Sequence, residues 1–316
     1  MPFNKLINFE FMILRTLKKN STITVIAPAF PPVPEKTEMG ITYLEQKGFK
    51  VKKGKSLTGN FGYFSATDEQ RVEEINNAFK DPETDAIICA RGGWGTLRIL
   101  DRLDYDTIKN NPKLLVGYSD ITFLQLAVWK KCNLPSFSGP MVSVEMGGGI
   151  LDFTEKYFWD QVYNKEKNYT IRLTETGGEF WKDGMAEGTL LGGCLSMLSH
   201  QLGTPFSPDY NDAILFIEDV GEIPYKIDRY LAQLQQAGVF GQIKGLIIGE
   251  FIDCYDDQKP SFTIEEILHH YFDKLHIPVI YNFPYGHGMK KVTMPIGVSA
   301  KIDSENKKLV FGNPFI

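Results

Sequence analysis

The chain has 316 residues, of which 43% are hydrophobic and 23% are charged, and its formal net charge at pH 7 is -5. This length and composition are typical of a soluble globular protein and favour two domains. The acidic balance disfavours a nucleic-acid-binding or anionic-membrane surface, because such surfaces need clustered lysine and arginine. Small molecules or peptides are therefore the expected partners.

The cysteines and the N-terminal segment indicate a cytoplasmic location. Cys89, Cys132, Cys194 and Cys254 show no C-x-x-C spacing, so the sequence suggests neither a zinc site nor a disulfide framework. Free thiols suit a reducing compartment. Residues 1–18 lack a small-residue cleavage site, so we expect an N-terminal extension rather than a secretory signal. No run approaches the roughly 18 apolar residues of a membrane span.

Residues 19–150 predict a first domain in which strands and helices alternate. The predicted strands span 22–28, 49–52, 86–90 and 114–117, with a short extended piece at 134–140. The predicted helices pass through 39–44 and span 68–79, 96–103 and 121–130. Apolar strands that alternate with helices imply a parallel sheet covered by helices.

Residues 151–184 are polar and aromatic, and they predict a connecting helix and a hairpin between two domains. Residues 185–316 predict a second, smaller α/β domain. Its predicted strands span 188–191, 213–217, 246–249 and 277–280, and its predicted helices span 195–202, 227–236 and 264–275. The predicted fold class is therefore α/β with two domains.

The turn at Ser119 is the first candidate for chemistry. An apolar strand breaks at Gly117, presents Ser119 and continues at once as a helix. A serine on a sharp strand-to-helix turn stands clear of the sheet, and the amide of the next residue, Asp120, points toward any oxyanion formed there. Ser119 and Asp120 are equally suited to be ordinary helix caps, so this segment alone leaves both interpretations open.

A nucleophilic serine needs a base, and His287 is the candidate among the five histidines. It follows a predicted strand and has glycine on both sides, which lets the backbone place the imidazole against another domain. An exposed turn histidine is the alternative. Structural interpretations account for the other histidines, which lie in or beside predicted helices or before a strand: His200, His269, His270 and His276.

A carboxylate that fixes the tautomer makes a histidine a better base. Glu218 and Asp219 end an apolar strand, and strand ends in α/β domains face the ligand crevice. A pair of metal-binding carboxylates is the competing interpretation, but no further ligand lies at useful spacing. Glu222 is expected to pair with Lys226 one helical turn on.

A glycine-rich loop, Gly92, Gly93 and Trp94 after Arg91, lies between a buried strand and a predicted helix. Its amides are suited to cradle a phosphate or an oxyanion. The loop lacks the Lys-Ser/Thr of a P-loop and the spacing of a dinucleotide fingerprint, so a nucleotide site is less favoured. Trp94 either forms an apolar wall for a substrate or packs in a domain interface.

Taken together, these segments resemble the LD-carboxypeptidase family of serine peptidases, which also contains the microcin C immunity peptidases. The resembling segments occur in order along most of the chain: 25–28 (VIAP), 91–95 (RGGWG), 117–122 (GYSDIT), 139–141 (GPM), 188–195 (GTLLGGCL), 203–205 (GTP), 215–219 (LFIED), 227–229 (IDR) and 286–287 (GH). The resemblance implies a flavodoxin-like first domain, an active site at the domain crevice and a homodimer.

The resemblance also assigns roles to residues. It implies that Ser119 is the nucleophile, that His287 is the general base and that Glu218 orients the base. It suggests the amides of Asp120 and Gly93 as oxyanion donors, and it implies no metal or organic cofactor.

Two residues depart from the family pattern. Ala29 stands where relatives commonly carry serine, and Cys194 where they commonly carry asparagine. Both departures put the peptide specificity in doubt more than the reaction type. We expect Cys194 to be a buried small side chain rather than a second nucleophile.

The resulting hypothesis is a cytoplasmic serine carboxypeptidase that removes the terminal D-alanine from murein tetrapeptide in cell-wall recycling. One alternative keeps the mechanism and changes the substrate to a peptide-nucleotide antibiotic, whose base would stack on Trp94 or Trp181. Another is a noncatalytic two-domain protein that binds an anion at the Gly92–Gly93 loop.

Overall fold

The computed structural model describes residues 12–315, which form two β-sheets with flanking helices. The strands are β1 (Thr22–Ile26), β2 (Lys50–Lys53), β3 (Ala86–Cys89), β4 (Leu114–Gly117), β5 (Ser136–Ser138), β6 (Asn168–Arg172), β7 (Glu179–Lys182), β8 (Met185–Cys194), β9 (Ala213–Val220), β10 (Gly245–Ile252), β11 (Val279–Tyr281), β12 (Met294–Ile296), β13 (Ser299–Asp303) and β14 (Lys308–Gly312).

The helices are α1 (Pro34–Gln46), α2 (Asp68–Lys80), α3 (Tyr105–Asn110), α4 (Ile121–Cys132), α5 (Asp152–Val162), α6 (Leu173–Thr176), α7 (Leu195–Gln201), α8 (Pro224–Gln236), α9 (Val239–Gln242) and α10 (Ile264–Phe272). Local chemistry sets several of their starts. Proline occupies the first turn of α1 and α8, and Thr67 forms a capping box with Gln70 at α2. No helix in the described part of the chain is long and apolar enough to cross a membrane.

The first sheet has the strand order β12-β5-β4-β3-β1-β2. Strands β2, β1, β3, β4 and β5 are parallel, and β12 is antiparallel to β5. The order β2-β1-β3-β4-β5 is that of flavodoxin, as expected from the resemblance, and it reverses between β1 and β3. Every residue of β3 and β4 is buried, because helices cover both faces. A crevice therefore opens where the loops after β1 and β3 separate.

The second sheet has the strand order β6-β14-β13-β8-β9-β10-β11-β7. Strands β8 to β11 are parallel, and antiparallel strands extend the sheet at both edges. The α/β class with two units is thus confirmed.

Two expectations for the chain outside the site are wrong. Strands β6 and β7 form no hairpin with each other but lie at opposite edges of the second sheet. With both strands added, the second sheet has eight strands, while the first has six. The helix predicted over 96–103 is a short 3-10 helix, Leu97–Arg102, a form common in short connecting segments. The domain boundaries themselves stay a prediction.

The predicted extension 1–18 falls mostly outside the described residues. Of its described part, Leu14 and Leu17 are buried in the first core, and the Leu14 amide donates to the carbonyl of Pro314 at 2.8 Å. Residues 12–18 therefore pack on the body of the protein.

The two units meet through the chain that leaves the second sheet. After β11 it passes through residues 282–293 and joins the first sheet as β12. Tyr285 on this crossing segment bonds Ser138 of β5 at 2.7 Å and packs against Phe216 of β9 at 5.0 Å between ring centroids. A second junction lies where Gly193 of β8 meets Thr122 of α4. These contacts set the position of each sheet's carboxyl edge against the other.

The Gly193 junction generates the first prediction. Gly193 has a φ of +143°, and a Cβ there would lie 2.5 Å from the Thr122 side chain. We expect Gly193→Ala to lower the free energy of unfolding by about 1–3 kcal/mol, because it combines backbone strain with overpacking. Urea denaturation measures this. The control is Gly241→Ala, where a Cβ meets nothing within 4 Å; equal stability of the two variants would contradict the close junction.

Candidate active site

Ser119 stands on a strained turn between β4 and α4. Its φ is +63°, a left-handed conformation that is rare for a residue with a side chain. Gly117 permits the turn, because a Cβ there would lie 2.9 Å from Ile121. Ser119 is partly exposed while its neighbours on both sides are buried. Strain of this kind presents a nucleophile at the top of a sheet.

The hydroxyl of Ser119 is not used as a helix cap. Asp120 is the N-cap residue of α4, and its side chain makes no capping hydrogen bond. In the described part of the chain, the Ser119 hydroxyl forms no hydrogen bond with a protein group. The capping interpretation of this turn is therefore wrong for both residues.

The glycine loop lies directly against Ser119. A Cβ at Gly92 would lie 3.2 Å from both the Ser119 Oγ and the Asp120 amide nitrogen. Gly93 has a φ of +122°, and a Cβ there would lie 2.4 Å from the Phe30 ring. Among residues 12–315, the amides of Asp120 and Gly93 donate to no protein acceptor. Both remain available for an oxyanion beside the hydroxyl.

The Asp120 carboxylate joins the turn at Ser119 to the end of the glycine loop. It is fully buried and accepts hydrogen bonds from the Thr96 amide at 3.0 Å and the Thr96 hydroxyl at 2.9 Å. The same hydroxyl also contacts the Asp120 carbonyl at 2.6 Å. Burial raises the pKa of Asp120, with the bonds from Thr96 acting in the opposite direction. This pair holds the two loops in a fixed relation.

Glu218 and His287 meet at the carboxyl edge of the second sheet. Glu218 is on β9 with 0% exposure, and its Oε2 lies 2.7 Å from Nδ1 of His287. The carboxylate accepts the Nδ1–H, which leaves Nε2 as the acceptor that a base requires. Gly286 allows the approach, because it has a φ of +128° and a Cβ there would lie 2.7 Å from Oε2.

The Tyr118 ring contacts His287 next to the turn at Ser119. The rings of Tyr118 and His287 are 5.0 Å apart between centroids, at an interplanar angle of 63°. Since Tyr118 directly precedes Ser119, the imidazole lies beside the residue that enters the turn. The sequence-predicted Ser119, Asp120, Gly92 and Gly93 thus share one loop cluster, and His287 with Glu218 reaches it from the other sheet.

The Asp219 carboxylate is bound by backbone amides. It accepts the amides of Ser196 at 2.7 Å and Val220 at 2.8 Å. The Cys194 thiol lies 3.4 Å from the same group. Cys194 is buried, as expected, and burial raises the pKa of its thiol, followed by the charge of Asp219. Within residues 12–315, no three His, Cys, Asp or Glu side chains are grouped to hold a metal ion.

The aromatic candidates for stacking lie in different places. Trp94 is 37% exposed on the glycine loop. Trp181 is on the edge strand β7, where it packs against His269 at 4.3 Å and Tyr281 at 5.8 Å between ring centroids. Trp181 therefore lines a separate cleft with His269.

Four residues of the site were missed by sequence reasoning: Thr96, Tyr118, Glu145 and Lys291. Each acts through a partner far away in the chain. Only Tyr118 had a local signal of its place in the site, because it directly precedes Ser119.

Family models match both halves of the chain. The family model for the LD-carboxypeptidase N-terminal domain matches residues 23–139, and that for the LD-carboxypeptidase C-terminal domain matches residues 187–302. The chain is 37% identical to a probable murein peptide carboxypeptidase of Bacillus subtilis (strain 168) over 94% of this chain and 93% of that protein.

Two solved structures share the whole fold. A muramoyltetrapeptide carboxypeptidase from Oxalobacter formigenes has a TM-score of 0.81 and 32% identity, covering 92% of this chain and 98% of that chain. The microcin C7 self-immunity protein MccF in complex with aspartyl sulfamoyl adenosine has a TM-score of 0.89 and 27% identity, covering 96% and 99%.

The space beside Ser119 generates the second prediction. If the protein releases D-alanine from murein tetrapeptide, we expect Gly92→Ala to lower the kcat of that reaction by about a hundredfold or more. The added methyl group would occupy the space expected for the oxyanion. Melting temperature should fall less than in Gly193→Ala, because Gly92 does not have a positive φ and its Cβ would come no nearer than 3.0 Å to Ser119. The control is Gly148→Ala, where a Cβ meets nothing within 4 Å. A Gly92→Ala variant with the kcat of the control would contradict an oxyanion site there.

Asp219 generates the third prediction, on pH. Burial, and then the charge of Glu218, raises the pKa of Asp219 to about 6 in the folded state, against about 3.9 in an unfolded chain. The folded state therefore binds this proton more tightly, so ionisation destabilises the fold as pH rises from about 4 to about 6. The unfolding free energy of Asp219→Asn minus that of wild type should therefore rise by about 2 kcal/mol from pH 4 to pH 7. Urea denaturation at both pH values measures it, with the exposed Asp257→Asn as control; a pH-independent difference would contradict the raised pKa.

Proposed function

The chain belongs to the LD-carboxypeptidase family, and we propose that it is a serine carboxypeptidase that removes the terminal D-alanine from murein tetrapeptide. The observation that carries the proposal is the 2.7 Å bond between Glu218 and His287, formed beside the strained turn of Ser119. A buried carboxylate, an oriented imidazole and a partly exposed hydroxyl are the three groups of acyl transfer through a serine.

In this mechanism Ser119 attacks the carbonyl at the L-centre of the diamino acid. Nε2 of His287 takes the serine proton and then donates it to the nitrogen of the leaving D-alanine, which breaks the L,D-peptide bond. Glu218 stabilises the imidazolium, and its second oxygen is buried without a hydrogen-bond partner in the described chain, so its charge is directed to His287. A water activated by His287 then hydrolyses the acyl-enzyme.

The oxyanion forms where Gly92 leaves space. The amides of Asp120 and Gly93 are the donors. The bonds between Asp120 and Thr96 fix the position of the nucleophile turn relative to the glycine loop. Because these amides are preorganised, they stabilise the transition state more than the planar carbonyl of the substrate.

Arg91 supports recognition of a free terminal carboxylate. Its guanidinium lies over the Phe30 ring at 5.7 Å, and in the described chain it forms no ion pair with a carboxylate. Arg91 directly precedes Gly92, so its positive charge is carried by the loop that lies beside Ser119. A guanidinium is well suited to bind a carboxylate in two-pronged geometry. The D-alanine carboxylate is therefore the group that we assign to Arg91.

A second candidate is an immunity-type serine amidase that cleaves a peptide-nucleotide antibiotic. The exposed Trp94 favours it, because an indole on the same loop as Gly92 offers a surface for a nucleobase. Trp181 lies in a separate cleft, so we do not assign it to stacking of the nucleobase. Membership of a peptidase family disfavours the alternative of a noncatalytic binding protein.

The fourth prediction tests the proposed function. Incubation of murein tetrapeptide with the protein should release D-alanine, detected by mass spectrometry of the peptide before and after. Ser119→Ala should release it at least about a thousandfold more slowly, with an unchanged melting temperature, because the hydroxyl acts only in the reaction. Ser207→Ala is the matched control, since the Ser207 side chain forms no hydrogen bond in the described chain.

Release of D-alanine by Ser119→Ala at the parent rate would refute the assignment of the nucleophile. Turnover of an aminoacyl sulfamoyl adenylate, with none of the tetrapeptide, would favour the amidase and reject the carboxypeptidase.

A further inference from the structure

A buried cluster, here called the Lys291 cluster, consists of Tyr118, Glu145 and Lys291. It contacts His287 through the Tyr118 ring. The Lys291 ammonium forms an ion pair with Glu145 Oε1 and lies 3.9 Å from the centroid of the Tyr118 ring. The Tyr118 hydroxyl donates to the same Glu145 oxygen at 2.8 Å. Three groups thus contact one another, and the Tyr118 ring also contacts His287.

Both units of the protein contribute to the cluster. Glu145 lies in the π-helical turn Val142–Met146 of the first unit, and its other oxygen accepts the Met141 amide at 2.9 Å. Lys291 lies on the crossing segment, four residues after His287, and its amide donates to Thr154 at 3.1 Å. The base and the cluster therefore share one stretch of backbone.

Burial makes the cluster unusual. The side chains of Lys291 and Glu145 are only 2% and 12% exposed. A buried ion pair is a weak source of stability, because desolvation offsets the attraction between its charges. A purely structural role would be served as well by apolar side chains of similar volume. The contacts point instead to orientation of the Tyr118 ring, which is held at its hydroxyl by Glu145 and at its face by Lys291.

The orientation of the ring matters because of how His287 is held. In the described chain the imidazole has one hydrogen bond, from Nδ1 to Glu218, which fixes that atom but not the plane of the ring. The Tyr118 contact supplies the second constraint. Tyr118 also directly precedes Ser119, so one residue contacts the base and adjoins the nucleophile.

We propose that Lys291 and Glu145 are positioning residues that hold Tyr118 against His287 and so direct Nε2 toward Ser119. The proposal rests on the proposed serine mechanism and adds residues that touch neither the substrate nor the reacting atoms. Lys291 also compensates negative charge at the site. It opposes the effects of burial and of the Glu218 charge, which raise the pKa of nearby Glu250.

The fifth prediction compares Lys291→Met, which keeps the length and removes the charge, with Lys291→Arg, which keeps the charge. D-alanine release from murein tetrapeptide gives kcat and KM. We expect Lys291→Met to lower kcat at least about tenfold with KM within about twofold, because the base is misoriented while substrate contacts persist. Lys291→Arg should recover most of the loss. The control is Lys290→Met, an exposed neighbour, which should match wild type.

A folded Lys291→Met variant with wild-type kcat, or one whose loss Lys291→Arg does not reduce, would overturn the proposal. If Lys291→Met fails to fold, Tyr118→Phe keeps the ring and removes only its bond to Glu145. We expect about a threefold or greater loss of kcat from Tyr118→Phe at unchanged KM, and an unchanged kcat overturns the proposal equally.

Labelling of Ser119 by a fluorophosphonate separates this proposal from the proposed function, because labelling needs the oriented base but no peptide. Slower labelling in Lys291→Met supports the cluster even if the wild-type protein releases no D-alanine, a result that would reject only the substrate. Equal labelling rates in Lys291→Met and Lys290→Met would overturn the role of the cluster whatever the substrate. A wild-type protein that neither labels nor releases D-alanine would overturn both proposals.

Discussion

The hydrogen bond between Glu218 and His287 is the contact on which the site depends. Its acceptor is fully buried on a central strand, and its donor comes from the segment that carries the chain from one sheet to the other. In a low-dielectric environment a charge-assisted bond of 2.7 Å strongly restrains both partners. Gly286 makes the approach possible, because any side chain there would meet the carboxylate. The crossing segment therefore has to pass this point in one conformation.

The turn at Ser119 is held by a different kind of contact. Ser119 adopts a strained backbone conformation, and such strain persists only where the surrounding structure enforces it. The bonds between Asp120 and Thr96 supply that enforcement and anchor the glycine loop at the same time. The two loops follow neighbouring strands β3 and β4 of the first sheet, next to the reversal of strand order. The fold thus brings a strained hydroxyl and free amides to the edge where parallel sheets bind ligands.

The sequence predicted the central strands and missed the sheet edges for one physical reason. Strands β3 and β4 are buried on both faces, so their apolar runs are visible without knowledge of their partners. Strands β6 and β7 have mixed burial, and their local pattern does not identify a pairing partner, so the hairpin predicted from their proximity was wrong. Strand β12 is three residues long with a central proline, and only its pairing with β5 makes it a strand.

Within the site, the sequence by itself determined the chemistry that was available: a serine after a glycine break, a histidine between glycines and a carboxylate at the end of an apolar strand. These signals are local, because backbone strain, chain flexibility and burial leave marks in neighbouring residues. Only the tertiary structure decided that Thr96 engages Asp120, that Tyr118 faces His287 and that Lys291 is buried against Glu145. Those contacts join residues far apart in the chain, and their energies depend on distances that exist only after both sheets have packed together.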